Sequence, residues 1–324
     1  MAEYASRFKS TLLKEMLLSV WNSSMPVYMF AGVLAWCSNG TAGFPEGGSL
    51  KMAQDIEKRY VSLGGEVFFG QRVEKILVSN GKAVGIRFAD GSEKRADIVI
   101  SAADSFGTLN NMLNQKYTPD AIRDWYKDNT AFPPYIQVSF GVNRDMSGEP
   151  RLIYAKLKKP LVIACKGTPY MILHNYSFDN TLAPEGKTSF VVRFFTEYEY
   201  WEKLYQHKDK YSVEKKALVD SILNALEGLY PGFAAQVEVV DVATPATYVR
   251  YTDNWKGATM GWVATISNFG KNLPKTLPGL ENFYMAGQWI SPGGGVPVAL
   301  KTARDVIQII CKKDRKRFRT KIDN

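Results

Sequence analysis

The chain is 324 residues long, 45% hydrophobic and 13% aromatic, with 23% charged side chains, which excludes a disordered polypeptide and provides for two domains or one large one. Cys37, Cys165 and Cys311, with His174 and His207, are scattered outside any metal-ligand spacing, so neither a disulfide framework nor a metal site is expected, and the thiols read as those of a reduced, cytoplasmic protein. Of the net charge of +9, +6 sits in residues 312–321, where seven Lys or Arg accompany one Asp; the remainder is near balance, so no nucleic-acid-binding face is expected.

Residues 6–22 place Phe8, Leu12, Leu13, Met16, Leu17, Val20 and Trp21 at helical spacing, and a second helical stretch runs to Trp36. Its apolar core, Val27 to Trp36, is far too short to span a membrane. Residues 38–49 are rich in helix breakers. Ser49 is then placed to cap a helix from Leu50, with Met52, Ala53, Ile56 and Tyr60 on its apolar face, that stops at Gly64-Gly65. Val67-Phe68-Phe69 reads as a short strand. Asn80-Gly81 and Asp90-Gly91 are two-residue hairpin turns joining Arg72–Val78, Ala83–Phe88 and Glu93–Ile100.

Residues 105–130 read as an amphipathic helical region. Four strands, Ile136–Val142, Arg151–Tyr154, Tyr170–Tyr176 and Thr188–Phe195, are expected in one antiparallel sheet. Residues 197–229 are helical, with Leu218, Ile222, Leu223 and Leu226 on one face, and Pro231-Gly232 ends them. Val237–Ala243 is a further strand, and Thr247–Phe269 reads as loop. Near the C-terminus a strand at 282–286 leads through Gly287-Gln288 to Pro292-Gly293-Gly294-Gly295-Val296-Pro297 and a helix to Cys311. Consecutive glycines let a backbone approach a flat, bulky group. A proline in the first helical turn loses no hydrogen bond, and the free N–H groups there favour an electron-rich ligand.

The order PEGGSL (45–50), GGEVFFGQRVEKI (64–76), DIVISAAD (97–104), YPGF (230–233), ATPATYVRYTDNWKGATMGW (243–262) and PGGGVP (292–297) resembles the FAD-dependent amine-oxidase-like flavoproteins, in particular their phytoene desaturase, carotenoid isomerase and retinol saturase branch. The resemblance runs from about residue 1 to residue 313. It implies α/β plus α+β architecture: an incomplete, Rossmann-like FAD/NAD(P)-binding domain interleaved with an antiparallel-sheet substrate domain. The implied segments are 1–44 (helical part of the substrate domain), 45–104 (FAD domain), 105–270 (substrate domain), 271–313 (FAD domain) and 314–324 (basic tail).

The same resemblance implies a cofactor, FAD, and cofactor-binding positions. Val73 matches the strand whose backbone pairs with adenine. Gly287 and Gln288 match the segment near the diphosphate and ribityl chain. Gly294, Gly295 and Val296 match the turn against the isoalloxazine ring, toward whose N1–C2=O edge the following helix directs its dipole. No catalytic residue is indicated. A hydrophobic, polyene-like small molecule is the implied substrate, lying against the aromatic-rich sheet around Phe132, Tyr135, Phe140, Phe194, Phe195, Tyr198, Tyr200 and Trp201.

The family's opening strand–GxGxxG–helix, which cradles the FAD diphosphate, has no counterpart in this sequence. The chain therefore reads as the C-terminal two-thirds of such an enzyme, completed by a missing N-terminal segment or by a partner chain. Taken alone it is expected to hold FAD weakly or not at all. Three readings stay open: an FAD-dependent oxidoreductase or isomerase acting on C=C bonds, a non-catalytic remnant or interaction subunit, and an amine oxidase-type flavoenzyme. The tail from Lys312 to Lys321 reads either as solvated or as a peripheral contact with an anionic membrane surface.

Overall fold

The computed structural model describes residues 1–20 and 25–320; Trp21 and Lys321 fall outside them. The helices are α1 (Ala2–Ser6), α2 (Thr11–Val20), α3 (Val27–Ser38), α4 (Gly48–Ser62), α5 (Asp120–Asp128), α6 (Tyr198–Tyr205), α7 (Lys208–Glu227), α8 (Pro245–Thr252) and α9 (Gly295–Lys313). Among the described residues no helix is long and apolar enough to cross a membrane. The chain divides into two compact units, one of residues 1–29, 69–132 and 252–324, the other of residues 30–68 and 133–251.

The first unit contains two small sheets. Strands β1 (Val73–Ser79), β2 (Lys82–Phe88) and β3 (Glu93–Arg95) form an antiparallel meander. Its first turn is set by Asn80 and Gly81, at φ +47° and +73°, the left-handed pair that a twisted two-residue hairpin requires. Strand β4 (Val99–Ser101) leaves the meander and pairs in parallel with β10 (Phe283–Met285), so the single strand expected from Glu93 to Ile100 is two strands in different sheets. A backbone bridge joins the sheets: Ala83 N–H donates to Glu281 O at 2.9 Å and Glu281 N–H to Gly81 O at 2.8 Å. The core between them gathers Ile76, Val99, Leu109, Ile122, Phe283 and Trp289, all under 9% exposed. The expected helical region 105–130 is broken into a π-helical turn (Gly107–Met112) and α5, because Asn114 and Gln115 take positive φ and Pro119 precedes α5.

The second unit is built on one antiparallel sheet of β5 (Tyr135–Val142), β6 (Leu152–Ile163), β7 (Lys166–Asn175), β8 (Thr188–Phe195) and β9 (Val237–Ala243), in the order β6-β7-β8-β5-β9. Strict alternation along β5 buries Ile136, Val138, Phe140 and Val142 on one face. There they meet Trp201 of α6 and Leu218, Ile222 and Leu226 of α7, which recur every four residues. Strands β6 and β7 run longer than their apolar pattern suggests, because Ala164 and Cys165 adopt left-handed φ and close a tight hairpin without glycine.

Two local expectations are corrected. Helix α4 begins at Gly48 with Gly47 as its cap in a left-handed conformation, and Ser49 makes no capping bond; the positive φ of Gly47 turns the chain two residues earlier than a Ser49 cap would. Val67-Phe68-Phe69 is not a strand: among the described residues no strand pairs with it, and Phe68 and Phe69 are 59% and 74% exposed. Propensity supplies no ladder when no neighbour is present.

Phe140 is 1% exposed and packs edge-on to Phe233 at 6.0 Å. Phe140→Ala is expected to lower stability by about 3–5 kcal/mol, read from the shift of the urea unfolding midpoint. A change below about 1 kcal/mol contradicts the placement of this core.

Candidate functional site

All six residues singled out from sequence fall in the first unit. Val73 opens β1 opposite Phe88 and lines a pocket of ≈ 350 Å³ together with Ile76, Ile98, Ile100 and the strand end Ser101–Ala103. On Ala102 the pocket meets the second predicted segment. Gly287 has φ +103°, and a Cβ there would lie 3.3 Å from Ala102 O. Its N–H donates to Thr302 Oγ1 at 2.9 Å, and Thr302, on α9, is 1% exposed. The strand end, the glycine and the last helix are thereby tied at one point.

One glycine of the triplet also meets a demand within the chain. Gly294 (φ +55°, ψ −164°) caps α9, and a Cβ on it would stand 1.5 Å from the backbone oxygen of Met260. The close approach of Met260 O leaves no room for a side chain here, whatever else the backbone faces. Gly261 answers it from the facing loop: at φ +75°, a Cβ there would lie 2.6 Å from Gln288 O. Two further bonds close the seam, Gly293 N–H to Trp262 O at 3.0 Å and Trp262 Nε1–H to Trp289 O at 2.9 Å. Gly295, at φ +75°, has only Pro297 Cδ, at 3.9 Å, near the place of a Cβ, so open space adjoins it. Helix α9 starts at Gly295, which puts Pro297 third in the first turn; no side chain caps these N–H groups, and the Val296 side chain is 49% exposed. Gln288 is half-buried.

One group that the sequence reading passed over holds the facing loop in place. Asp104, at the end of β4, is 4% exposed. Its Oδ1 accepts Gly107 N–H at 2.8 Å and its Oδ2 accepts Trp255 N–H at 3.0 Å. Burial drives its pKa up to about 6, against the pull of those N–H donors, and the nearby Asp253 carboxylate adds to the rise. Asp253 pairs with Arg72 at 2.9 Å. Asp253 and Lys256 both sit at positive φ, so the loop is held in a conformation that side chains rarely take. Around it Phe106 stacks on Trp255 at 5.4 Å, and Tyr126, Trp262 and Trp289 pack edge-on. The Tyr126 hydroxyl meets Ser105 Oγ at 2.6 Å, and burial pushes its pKa well above the usual range. The local signal was the Asp104–Gly107 spacing, a side-chain cap for the turn; the bond to Trp255 spans 151 residues and has no local signature.

A short parallel pair, a glycine turn at its C-terminal end and a helix N-terminus beyond it, in a chain that also carries an antiparallel-sheet unit, match an FAD/NAD(P)-binding-like fold. Residues 13–310 match the flavin containing amine oxidoreductases, and the chain belongs to that family. Among curated relatives, the chloroplastic prolycopene isomerase of Daucus carota is 28% identical over 273 residues, 79% of this chain and 42% of the relative. The 4,4'-diapophytoene desaturase of Methylomonas sp is 24% identical, covering 85% of this chain and 55% of its own length. The all-trans-retinol 13,14-reductase of Danio rerio is 25% identical, with 76% and 46% covered. The chain spans about half the length of the curated relatives it matches. An oxidoreductase structure from Methanosarcina mazei shares the fold, with a TM-score of 0.54 at 20% identity, covering 82% of this chain and 55% of that one.

Two predictions follow from this geometry. Gly294→Ala is expected to cost about 3 kcal/mol or more, because the clash is with backbone, whereas Gly295→Ala meets only left-handed strain and should cost about 1–2 kcal/mol; chemical unfolding of both variants checks the order. Asp104 has a folded pKa above its unfolded value, so its contribution is fully present below about pH 4 and is lost as pH rises through about 6. The difference in unfolding free energy between the native chain and Asp104→Asn should therefore change by up to about 3 kcal/mol between those limits, with the native chain relatively better off at the acid end. A difference independent of pH contradicts the buried carboxylate.

Proposed function

We propose that this chain supplies one side of a flavin site in an oxidoreductase acting on carbon–carbon double bonds of a hydrophobic, polyene-like substrate. Family membership and the activities that name the relatives (isomerisation of prolycopene, desaturation of diapophytoene, reduction of retinol) support the reaction class. The observation that carries the reading is the seam at Gly261 and Gly294, which fixes the start of α9 beside open space at Gly295, within the unit that also places Val73 on an apolar pocket. These residues fit FAD at two of its parts: the extended backbone at Val73 for the adenine, and Gly294, Gly295 and Val296 with the uncapped helix start for the ring. Gly287 and Gln288 would lie along the chain between them. Flavin bound there supplies two-electron chemistry, while the chain's own backbone positions the ring and its apolar walls exclude water.

The diphosphate cradle is to come from a further segment or partner chain. Strand β4 supports this: among the described residues it pairs only with β10, and Ile98 and Ile100 beside the pocket are 37% and 42% exposed. An edge of that kind invites a further strand.

The test is reconstitution. The chain is combined with a polypeptide carrying the strand–GxGxxG–helix element, and flavin absorbance is measured after gel filtration. Bound flavin is expected from the pair and little from the chain alone. Flavin retained stoichiometrically by the chain alone would sink the shared-site reading, and none retained by the pair would sink the flavin assignment. Anaerobic addition of all-trans-retinol or a hydrocarbon polyene to the pair should then change the flavin or polyene spectrum.

A further inference from the structure

The face of the five-stranded sheet turned away from its core carries a charged group that forms no ion pair among the described residues. Tyr154 of β6, Ile172 of β7, Arg193 of β8 and Gln137 of β5 form one row across the sheet, and Leu152, His174, Val191, Ser139 and Asp241 form the next. Arg193 is half-buried on the central strand. Its Nε–H donates to Gln137 Oε1 at 2.9 Å, and among the described residues it forms no ion pair. Asp241 lies on the edge strand one row away and is exposed. Gln137 thus holds the guanidinium plane while its two terminal NH2 groups keep a free fork, the geometry that receives both oxygens of a carboxylate.

The surroundings match the rest of such a ligand. Tyr135 and Phe195 lie 4.8 Å apart beyond the arginine, and Tyr154 and Tyr170 lie 5.0 Å apart on the neighbouring strands, so rings and aliphatic side chains flank the charge. His174 is kept neutral at ordinary pH, its pKa lowered to about 4 first by burial and then by Arg193. Burial raises the pKa of Tyr248, which senses Arg193, Tyr135 and Asp241, so its hydroxyl keeps its proton. A partly buried guanidinium without a counter-charge is unfavourable, and an anionic ligand group relieves it.

We propose that Arg193, oriented by Gln137, anchors an ionised carboxylate at one end of an elongated apolar ligand that lies along this sheet face. The proposal deepens the polyene reading above and rests on it: the substrate class becomes an oxygenated polyene, a polyene acid, in preference to an unsubstituted hydrocarbon.

The experiment is equilibrium dialysis of the full chain at neutral pH against all-trans-retinoic acid and all-trans-retinol, which share a skeleton and differ in charge. A charge-assisted bidentate contact predicts that the acid binds at least about tenfold tighter, and that the preference weakens as salt is raised. Arg193→Gln should abolish the preference and leave retinol binding unchanged, while Arg193→Lys should keep part of it; circular dichroism confirms that each variant is folded. Should Arg193→Gln fail to fold, the salt dependence of the native preference and the Arg193→Lys ratio decide. Equal binding of acid and alcohol to the native chain, or a preference that survives Arg193→Gln, overturns the anchor while leaving the polyene reading intact. Binding of neither overturns the anchor, and the reconstituted pair then decides the polyene reading.

Discussion

Two backbones pressed together at Gly261 and Gly294 set the arrangement of the first unit. Carbonyl oxygens occupy the positions where side chains would begin, Gln288 O over Gly261 and Met260 O over Gly294. Contact this close is available only to glycine, and at these φ values only glycine is unstrained. Once the seam is closed, the start of α9, the buried Trp289 and the indole of Trp262 have one arrangement each. The seam lies between a loop and a turn, elements that are ordinarily mobile, and it makes them as determined as a strand pair.

Asp104 secures the other side of that loop. A buried carboxylate that accepts two backbone N–H groups is a rigid connector in low dielectric, and it fastens the loop to the end of β4. Burial raises its pKa, and the nearby Asp253 carboxylate adds to the rise. Thr302 does the corresponding work from α9, meeting the N–H of Gly287 from inside a helix. Thr302 and the Trp262 indole, from distant parts of the sequence, thus meet the short stretch of backbone from Gly287 to Trp289, while Asp104 holds the loop at Trp255.

Much of the fold was legible where physics is local. Strands Thr188–Phe195 and Val237–Ala243 have the bounds that their composition indicates, and Asn80-Gly81 forms the hairpin that only such a pair closes easily. The failures lie where a neighbour decides. Val67-Phe68-Phe69 has strand chemistry and no ladder, and Ala164-Cys165 turns tightly although neither residue signals it. At the site, the glycines of 293–295 were visible, yet their spacing could not say that Gly294 faces a carbonyl of its own chain while Gly295 borders open space. Nor could it reveal Asp104, whose partner lies in a distant segment of the sequence.

The division of the chain into units also has a temporal side. The sheet of the second unit is drawn from one continuous stretch, Tyr135 to Ala243, with strands β6, β7 and β8 following one another in sequence and side by side in the sheet. The first unit is assembled from three separated stretches, and its parallel pair joins Val99 to Phe283. On a ribosome the sheet of the second unit can therefore form while the C-terminal segment is still unmade, whereas β4 waits for β10 with its apolar edge uncovered. Synthesis itself orders the two halves: the sheet unit is local, and the seam that shapes the candidate site can close only after its C-terminal segment is made.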